Sequence, residues 1–239
     1  MKLQHTGVLV TGAGRGLGAA LAKELASQGA HVVLVAREPL AVESVASEIR
    51  SAGGVAHALA ADVADKEAVY AITGAAAALA GPIDVVVHNA STLGAAPLPL
   101  LLDTECEDLE RVLEVNLVGP FRITKAVAGS MVLRGSGLVV NITSDASVNP
   151  YPGWGMYGVS KAALDHLGRI WAAELEGTGV RFLTVDPGEM NTQMHREAMP
   201  EADPATLADP ADVARRIAAI ILDAERIPSG SRMEAADRS

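Results

Sequence analysis

The chain has 239 residues, a formal net charge of −10 at pH 7 and a single cysteine, Cys106. The length suits one α/β domain, residues 1–239, and the negative charge argues against nucleic acid or an anionic membrane surface as the main partner. One cysteine excludes an intramolecular disulfide and a thiolate metal cluster, and the six histidines lack metal-ligand spacing, so we expect no metal site.

The chain starts with an apolar run that is too short for a signal peptide, and no stretch of about 20 apolar residues follows. We therefore expect a soluble, cytoplasmic protein without a membrane partner. Further along, short valine-rich runs alternate with longer alanine-rich amphipathic stretches. The runs predict strands buried on both faces, at Gly7 to Thr11, His31 to Ala36, Val55 to Ala60, Ile83 to His88, Leu138 to Ile142 and Val180 to Val185.

The alanine-rich stretches predict helices at about 16–29, 40–52, 65–80, 105–133 and 157–177. This alternation predicts an α/β fold, a single-domain, Rossmann-type, doubly wound parallel sheet with helices on both faces. Loops rich in glycine and proline follow two strand ends, at Ser91 to Pro99 and at Pro187 to Pro210. Because such sheets bind ligands beyond the carboxyl ends of their strands, we expect both loops to lie beside a bound ligand.

A glycine-rich turn follows the first strand directly and reads Thr11-Gly12-Ala13-Gly14-Arg15-Gly16-Leu17-Gly18. Glycines let backbone N–H groups approach a phosphate that sits at the positive end of the next helix. The turn therefore predicts a diphosphate site, with a glycine turn that binds nothing as the alternative. Its spacing matches the pattern TGxxxGxG, by which the chain resembles the short-chain dehydrogenase/reductase family.

Further motifs of that family follow in order along nearly the whole chain. They are Asp62-Val63, Asn89-Ala90 within His88-Asn89-Ala90-Ser91, Asn116, Ser144 thirteen positions before Tyr157, and Pro187-Gly188 followed by Thr192. The resemblance implies that Asp62 lies against an adenine ring and that the loop from Pro187 to Thr192 covers a nicotinamide. It also implies that the segment at about 187–210 covers the substrate. The residues of these motifs that are expected to bind the cofactor are Asp62, Val63, Asn89, Ala90, Pro187, Gly188 and Thr192. Those of the glycine turn are Gly12, Gly14, Arg15, Gly16, Leu17 and Gly18.

Tyr157 and Lys161 are four residues apart on a predicted helix and therefore share one face. A nearby ammonium favours the phenolate, so Lys161 is expected to lower the pKa of Tyr157 from its ordinary value of about 10. Tyr157 is then the candidate general acid and base. The resemblance implies that Lys161 also binds the nicotinamide ribose, that Ser144 polarises the substrate oxygen and that Asn116 completes the proton path.

The type of nicotinamide cofactor is predicted from charge at the end of the second strand. An acidic side chain there suits the ribose hydroxyl of NAD, whereas the 2′-phosphate of NADP needs a cation. This chain has Ala36 and then Arg37, and Arg15 offers a second guanidinium. We expect NADP(H) to be preferred over NAD(H); the alternative is that both arginines are merely solvated.

The substrate pocket is expected to be apolar and to be lined by Leu93, Tyr151, Trp154, Met190 and Met194. The alternative for Tyr151 and Trp154 is packing beneath the loop that covers the substrate. Only Arg196 could clamp a carboxylate or phosphate, so a ketone, aldehyde or alcohol on a hydrophobic small molecule fits best. His195 either touches substrate or is solvated. Asp145 and Asp186 are expected to have strand-end or turn roles.

Two other functions compete with an oxidoreductase. A non-catalytic, NADP-binding sensor or scaffold of the same fold is the main alternative, although all four catalytic candidates are present. A nucleotide-sugar epimerase or dehydratase would need a larger substrate domain than the fewer than sixty residues after Pro187 provide.

Two departures from the family pattern concern Ser91, which replaces a glycine, and the ending from Pro228 to Glu234, which lacks the family's glycine-rich sequence. We expect a short seventh strand. The long helices resemble the family's interface of four helices, so a homodimer or homotetramer is expected.

Overall fold

A seven-stranded parallel sheet organises the residues that the computed structural model describes, 1–237. Its strands are β1 (Gly7–Thr11), β2 (His31–Ala36), β3 (Val55–Ala60), β4 (Ile83–His88), β5 (Gly137–Ile142), β6 (Val180–Asp186) and β7 (Ser231–Glu234). They lie in the order β3-β2-β1-β4-β5-β6-β7. The strand order reverses between β1 and β4, which makes this the topological switch point where α/β sheets bind ligands.

Helices cover both faces of the sheet. They are α1 (Gly16–Ser27), α2 (Pro39–Ser51), α3 (Lys66–Ala80), α4 (Cys106–Leu113), α5 (Gly119–Arg134), α6 (Gly155–Glu174), α7 (Gln193–Ala198) and α8 (Pro210–Leu222). One apolar core lies between the sheet and α1, α2 and α8, and a second lies between the sheet and α3, α5 and α6. The predicted doubly wound α/β domain is confirmed.

The strands form where valine-rich runs can be buried on both sides. In β1, Val8 and Val10 enter the first core while Leu9 enters the second, as the two-residue period of a strand requires. The prediction of burial on both faces is wrong for β3, where Val55 is 39% exposed. The reason is position, because β3 is an edge strand that pairs only with β2 within the described sheet.

The helix predicted at 105–133 is interrupted. A π-helical turn at Glu114–Val118 separates α4 from α5, and Asn116 lies inside it. Such turns re-aim side chains and occur often at functional sites. The predicted loop after Pro187 also contains a short helix, α7.

The expected short seventh strand is confirmed, since β7 has four residues and pairs in parallel with the end of β6. The residue opposite Thr184 in this register is Arg232, which brings a cation to the carboxyl edge of the sheet. Within residues 1–237, no helix is both long enough and apolar enough to cross a bilayer.

Candidate active site

The glycine turn is fastened to the end of β4 by hydrogen bonds. The Thr11 hydroxyl oxygen accepts the backbone N–H groups of Asn89 and Ala90, each at 3.1 Å. The Asn89 side chain donates to the carbonyl oxygens of Thr11, at 3.0 Å, and Gly12, at 3.2 Å. Two motifs that are distant in sequence are therefore held together at the switch point.

Two glycines are required by close backbone approach. A Cβ on Gly18 would lie 2.3 Å from the Gly12 oxygen, and a Cβ on Gly12 would lie 2.7 Å from Ala90 Cα. Gly12 also has a φ of +67°, in the left-handed region. Packing thus explains part of the glycine spacing.

The N-terminus of α1 lies at the ligand-binding edge of the sheet. In the described residues no side chain caps α1 at Arg15, and its first turn holds no acidic residue. Its N–H donors and helix dipole therefore suit an anion such as a diphosphate. Gly16 lies beside Thr192, since a Cβ there would be 3.5 Å from Thr192 Cγ2.

The two arginines expected to select the cofactor are held differently. Arg15 donates to Gln193 Oε1 at 2.9 Å, which links the glycine turn to α7. Arg37 is exposed just after β2. Gly14 packs against the small residue Ala36, because a Cβ on Gly14 would lie 3.2 Å from Ala36 Cβ.

Asp62 makes bonds that sequence reasoning missed. Its carboxylate accepts the Ala64 N–H at 3.0 Å and an Arg111 N–H at 2.6 Å. Burial raises the pKa of Asp62, but these hydrogen bonds and the charges of Arg111 and Arg37 together bring it below its ordinary value. Asp62 is therefore an anchored carboxylate, next to Val63 in the second core.

Tyr157 and Lys161 share one face of α6, as predicted from their spacing. Both are buried, with 8% and 2% exposure, and the lysine Nζ lies 5.5 Å from the centre of the tyrosine ring. Nζ donates to the Ile142 carbonyl oxygen at 2.8 Å. Burial lowers the pKa of Lys161 to about 8, against the opposing charges of Asp165 and Asp186.

The expected lowering of the Tyr157 pKa is wrong for this structure. Burial raises the pKa of Tyr157 above its ordinary value, and the charges of Asp186 and Asp145 act in the same direction. Side-chain interactions with Ser144 and Ser91 oppose this rise. The lysine ammonium points to a carbonyl and lies over the ring, so it does not offset the burial of the phenol.

Ser144 shares its hydroxyl with a neighbour that the sequence had placed only in a turn. Ser144 Oγ donates to Asp145 Oδ1 at 3.0 Å and accepts the Ala146 N–H at 3.2 Å. The hydroxyl of Tyr151 donates to the other oxygen of Asp145 at 2.8 Å. The hydrogen bond to Asp145 is the main reason that the pKa of Tyr151 is raised.

Asn116 is fully buried and connects the π turn to the site. Its Oδ1 accepts the Thr92 N–H at 2.8 Å and the Ser91 hydroxyl at 3.1 Å. Its Nδ2 donates to the Thr92 carbonyl and to Ser160 Oγ, each at 2.9 Å. The Ser160 hydroxyl in turn donates to the Tyr157 carbonyl at 2.7 Å. Ser91, the departure from the family turn, therefore contacts two catalytic candidates.

Part of the expected substrate pocket is assembled around Tyr157. Leu93, Trp154 and Met194 pack in one apolar cluster with the tyrosine, and the Trp154 ring stands edge-on to it with centres 5.7 Å apart. Met190 does not join them and packs instead against the first core.

The loop after β6 begins at Pro187 and is pinned where Gly188 donates to Asp186 Oδ1 at 3.0 Å. Thr192 caps α7 by accepting the N–H of His195 at 3.2 Å. The alternative that His195 is solvated is wrong, because its side chain is 11% exposed, with Nε2 3.7 Å from Glu189 Oε1.

His88, on β4, is a buried histidine next to the site. Burial, and secondarily the charge of Lys161, lowers the pKa of His88 to about 3, and its ring forms a hydrogen bond with Thr124 Oγ1 at 2.8 Å. Among residues 1–237, no three His, Cys, Asp or Glu side chains are grouped so that they could hold a metal ion.

Comparison with known proteins gives consistent findings. The family model described as short chain dehydrogenase matches residues 6–203. A short chain dehydrogenase of Pseudocercospora fijiensis is 38% identical over 196 residues, which cover 81% of this chain and 62% of that protein. The chain spans less than two thirds of the first curated relatives it matches, and as little as 17% of one.

Solved structures agree with the fold. An NAD+-bound xylitol dehydrogenase matches with a TM-score of 0.87 and 26% identity, covering 98% of each chain. A metagenomic short-chain oxidoreductase in complex with NADP matches with a TM-score of 0.79 and 32% identity, covering 92% of each chain. Both kinds of nicotinamide cofactor are therefore represented among similar structures.

Proposed function

The chain belongs to the short-chain dehydrogenase/reductase family, and from that premise we propose an NADP(H)-dependent oxidoreductase that interconverts a ketone or aldehyde and an alcohol. The observation that carries the proposal is the buried pair of Tyr157 and Lys161, with the half-buried Ser144, at the same edge of the sheet as the glycine turn. The substrate is a mainly apolar small molecule, because Leu93, Trp154 and Met194 surround the phenol.

The residues at the switch point fit a dinucleotide. The uncapped N-terminus of α1 suits the diphosphate, and the exposed Arg37 beside Ala36 suits a 2′-phosphate. A bound nicotinamide supplies or accepts the hydride. In our proposal the whole dinucleotide is held by the glycine turn, Asp62, Asn89 and Thr192.

Tyr157 is the proposed proton donor to the carbonyl oxygen. Its raised pKa keeps the phenol protonated at neutral pH, which suits donation during reduction. Lys161, with a pKa of about 8, is still largely an ammonium at pH 7 and stabilises the phenolate left behind when its Nζ turns from the Ile142 carbonyl. Ser144 donates to the substrate oxygen when its hydroxyl turns from Asp145.

The test is to follow the absorbance of NADPH and of NADH with a panel of aromatic, alicyclic and acyl ketones, using wild type and Tyr157→Phe. We expect NADPH oxidation by wild type and a loss of at least about 100-fold in the variant, the usual contribution of a general acid. NADPH affinity of the variant, measured by fluorescence titration, should stay within a few-fold. Equal turnover by both proteins would refute the role of Tyr157.

The sensor or scaffold alternative predicts NADP binding without turnover of any ketone, aldehyde or alcohol.

A homodimer or homotetramer is part of our proposal and is supported by exposed apolar side chains on α5 and α6, namely Phe121, Val159 and Ile170. Mass measurement in solution tests it. A cytoplasmic location is proposed with it and agrees with the free thiol of Cys106.

A further inference from the structure

Arg232, on the last strand of the sheet, reaches from β7 into the site. Its Nη2 donates to Asp186 Oδ2 at 2.7 Å and to the carbonyl oxygen of Ser144 at 3.3 Å. Its Nε lies 3.5 Å from Asp165 Oδ2. The family match ends at residue 203, so this contact comes from a part of the chain beyond the matched segment.

Each partner of Arg232 is connected to a different part of the proposed machinery. Ser144 is the candidate donor to the substrate. Asp186 also accepts the Gly188 N–H at 3.0 Å, at the start of the loop proposed to cover the nicotinamide. Asp165 lies one helical turn after Lys161 on α6 and accepts the Ser147 hydroxyl at 2.7 Å.

The two aspartates make the arginine electrostatically important. Asp165 and Asp186 are 7% and 6% exposed, and a buried carboxylate without a partner is strongly unfavourable. Both carboxylates act on Lys161 by raising its pKa, and Asp186 also raises the pKa of Tyr157. The guanidinium of Arg232 contacts both aspartates, so its positive charge reduces the extent to which they raise the pKa values of Lys161 and Tyr157.

Other charged groups also face the pair. Asp145 acts on Tyr157 from the turn after β5. His88, on β4, is kept neutral by burial and by Lys161. Glu234 lies 3.5 Å from Nη1 of Arg232, at the exposed side of the network. Arg232 is therefore the cation in contact with both buried carboxylates among the described ion pairs.

We propose that Arg232 is a positioning residue of the active site, which holds the Ser144 turn and the Gly188 loop and screens Asp165 and Asp186 from Tyr157 and Lys161. This inference rests on the proposed function for its kinetic consequences, but not for its electrostatic ones. The competing explanation is that Arg232 only fixes β7 to the rest of the sheet and has no effect on catalysis; we call this role a strand fastener.

The electrostatic test measures the pKa of Lys161 by NMR, with ε-13C-labelled lysine and assignment by Lys161→Met. Arg232→Met should raise the pKa of Lys161 by roughly 0.5–1 unit, because two carboxylates lose their counter-charge. Asp165→Asn should shift it downward, and the double variant should return it close to the wild-type value. Arg215→Met, which removes an arginine paired with Asp212 on the exposed side of α8, is the control.

An unchanged Lys161 titration in folded Arg232→Met would overturn the electrostatic part of the proposal. Should Arg232→Met not fold, Arg232→Gln, which removes the charge but keeps hydrogen-bond donors, takes its place in the same titration. This readout needs no turnover, so a wild type without activity would refute the proposed function and leave the proposal on Arg232 testable.

The kinetic test separates position from charge. Arg232→Lys keeps the charge but loses the Nη2 group that donates to both Asp186 and the Ser144 carbonyl. We expect a normal Lys161 pKa, a several-fold rise in the KM for NADPH and a pH profile of kcat/KM like that of wild type. Arg232→Met should move the acidic limb of that profile for alcohol oxidation to higher pH by about 0.5–1 unit. A lower melting temperature with unchanged KM and pH profile in both variants would support the strand fastener and overturn the proposal.

Discussion

Asn116 offers a quantitative test of the site, because its side chain is fully buried and bonded at both polar atoms. Asn116→Ala would remove partners from the Thr92 N–H and carbonyl, the Ser91 hydroxyl and Ser160 Oγ. Each net hydrogen bond contributes about 1 kcal/mol, and a buried group left without a partner costs about 1–3 kcal/mol. Ser160 keeps its bond to the Tyr157 carbonyl, so we expect a loss of about 3–4 kcal/mol in the free energy of unfolding.

Urea unfolding followed by circular dichroism, at fixed protein concentration, measures this loss. Asn149→Ala is the matched control, since Asn149 is exposed, unlike Asn116, and its side chain donates at 3.2 Å to the Asp145 carbonyl. Its effect should stay within about 0.5 kcal/mol. A loss below about 1 kcal/mol for Asn116→Ala would show that water or a rearranged turn replaces the network, and the argument from its four bonds would fail.

Three further substitutions test the site. Ser91→Ala removes a hydrogen bond that lowers the pKa of Tyr157. The acidic limb of the pH profile of kcat/KM for alcohol oxidation, which reports deprotonation of Tyr157, should therefore move to higher pH by roughly 0.5–1 unit. An unchanged limb would contradict this. Gly18→Ala would place a Cβ 2.3 Å from a carbonyl oxygen, so it should lower the melting temperature and weaken NADPH binding more than about 10-fold, whereas Gly74→Ala, with open space around it, should be neutral or stabilising. Arg37→Asp should lower the ratio of kcat/KM for NADPH over NADH at least about 10-fold, and an unchanged ratio would remove Arg37 from cofactor selection.

The fold was predictable where burial alone decides local structure. β1 to β4 begin and end where their valine-rich runs predict, and β5 and β6 differ by one residue at one end. The π turn was not predictable, because one extra residue in a helical turn leaves the apolar pattern nearly unchanged. The exposed face of β3 depends on its place at the sheet edge, which is set by strand order rather than by its own sequence.

The site was predictable as a set of positions but not as a set of contacts. Motif spacing pointed to Tyr157, Lys161 and Ser144, yet it carries no information on partners distant in the chain. Arg232 reaches Asp186 across 46 positions. The direction of the Tyr157 pKa shift also depends on burial and on where the lysine Nζ points, and neither quantity follows from helical spacing.

The orientation of the Ser144 and Ser91 hydroxyls determines whether Tyr157 more readily donates a proton, as in reduction, or accepts one, as in oxidation. The structure directs the proton of Ser144 to Asp145 and that of Ser91 to Asn116, whereas a phenolate needs both protons as donors. One hydroxyl proton cannot serve two acceptors, so Asp145 and Asn116 compete with the Tyr157 phenolate for them. In the resting arrangement the phenol keeps its own proton, which favours donation to a carbonyl. Alcohol oxidation requires both hydroxyls to turn toward Tyr157, and Asp145→Ala, which removes one competitor, should therefore lower the pH at which oxidation begins.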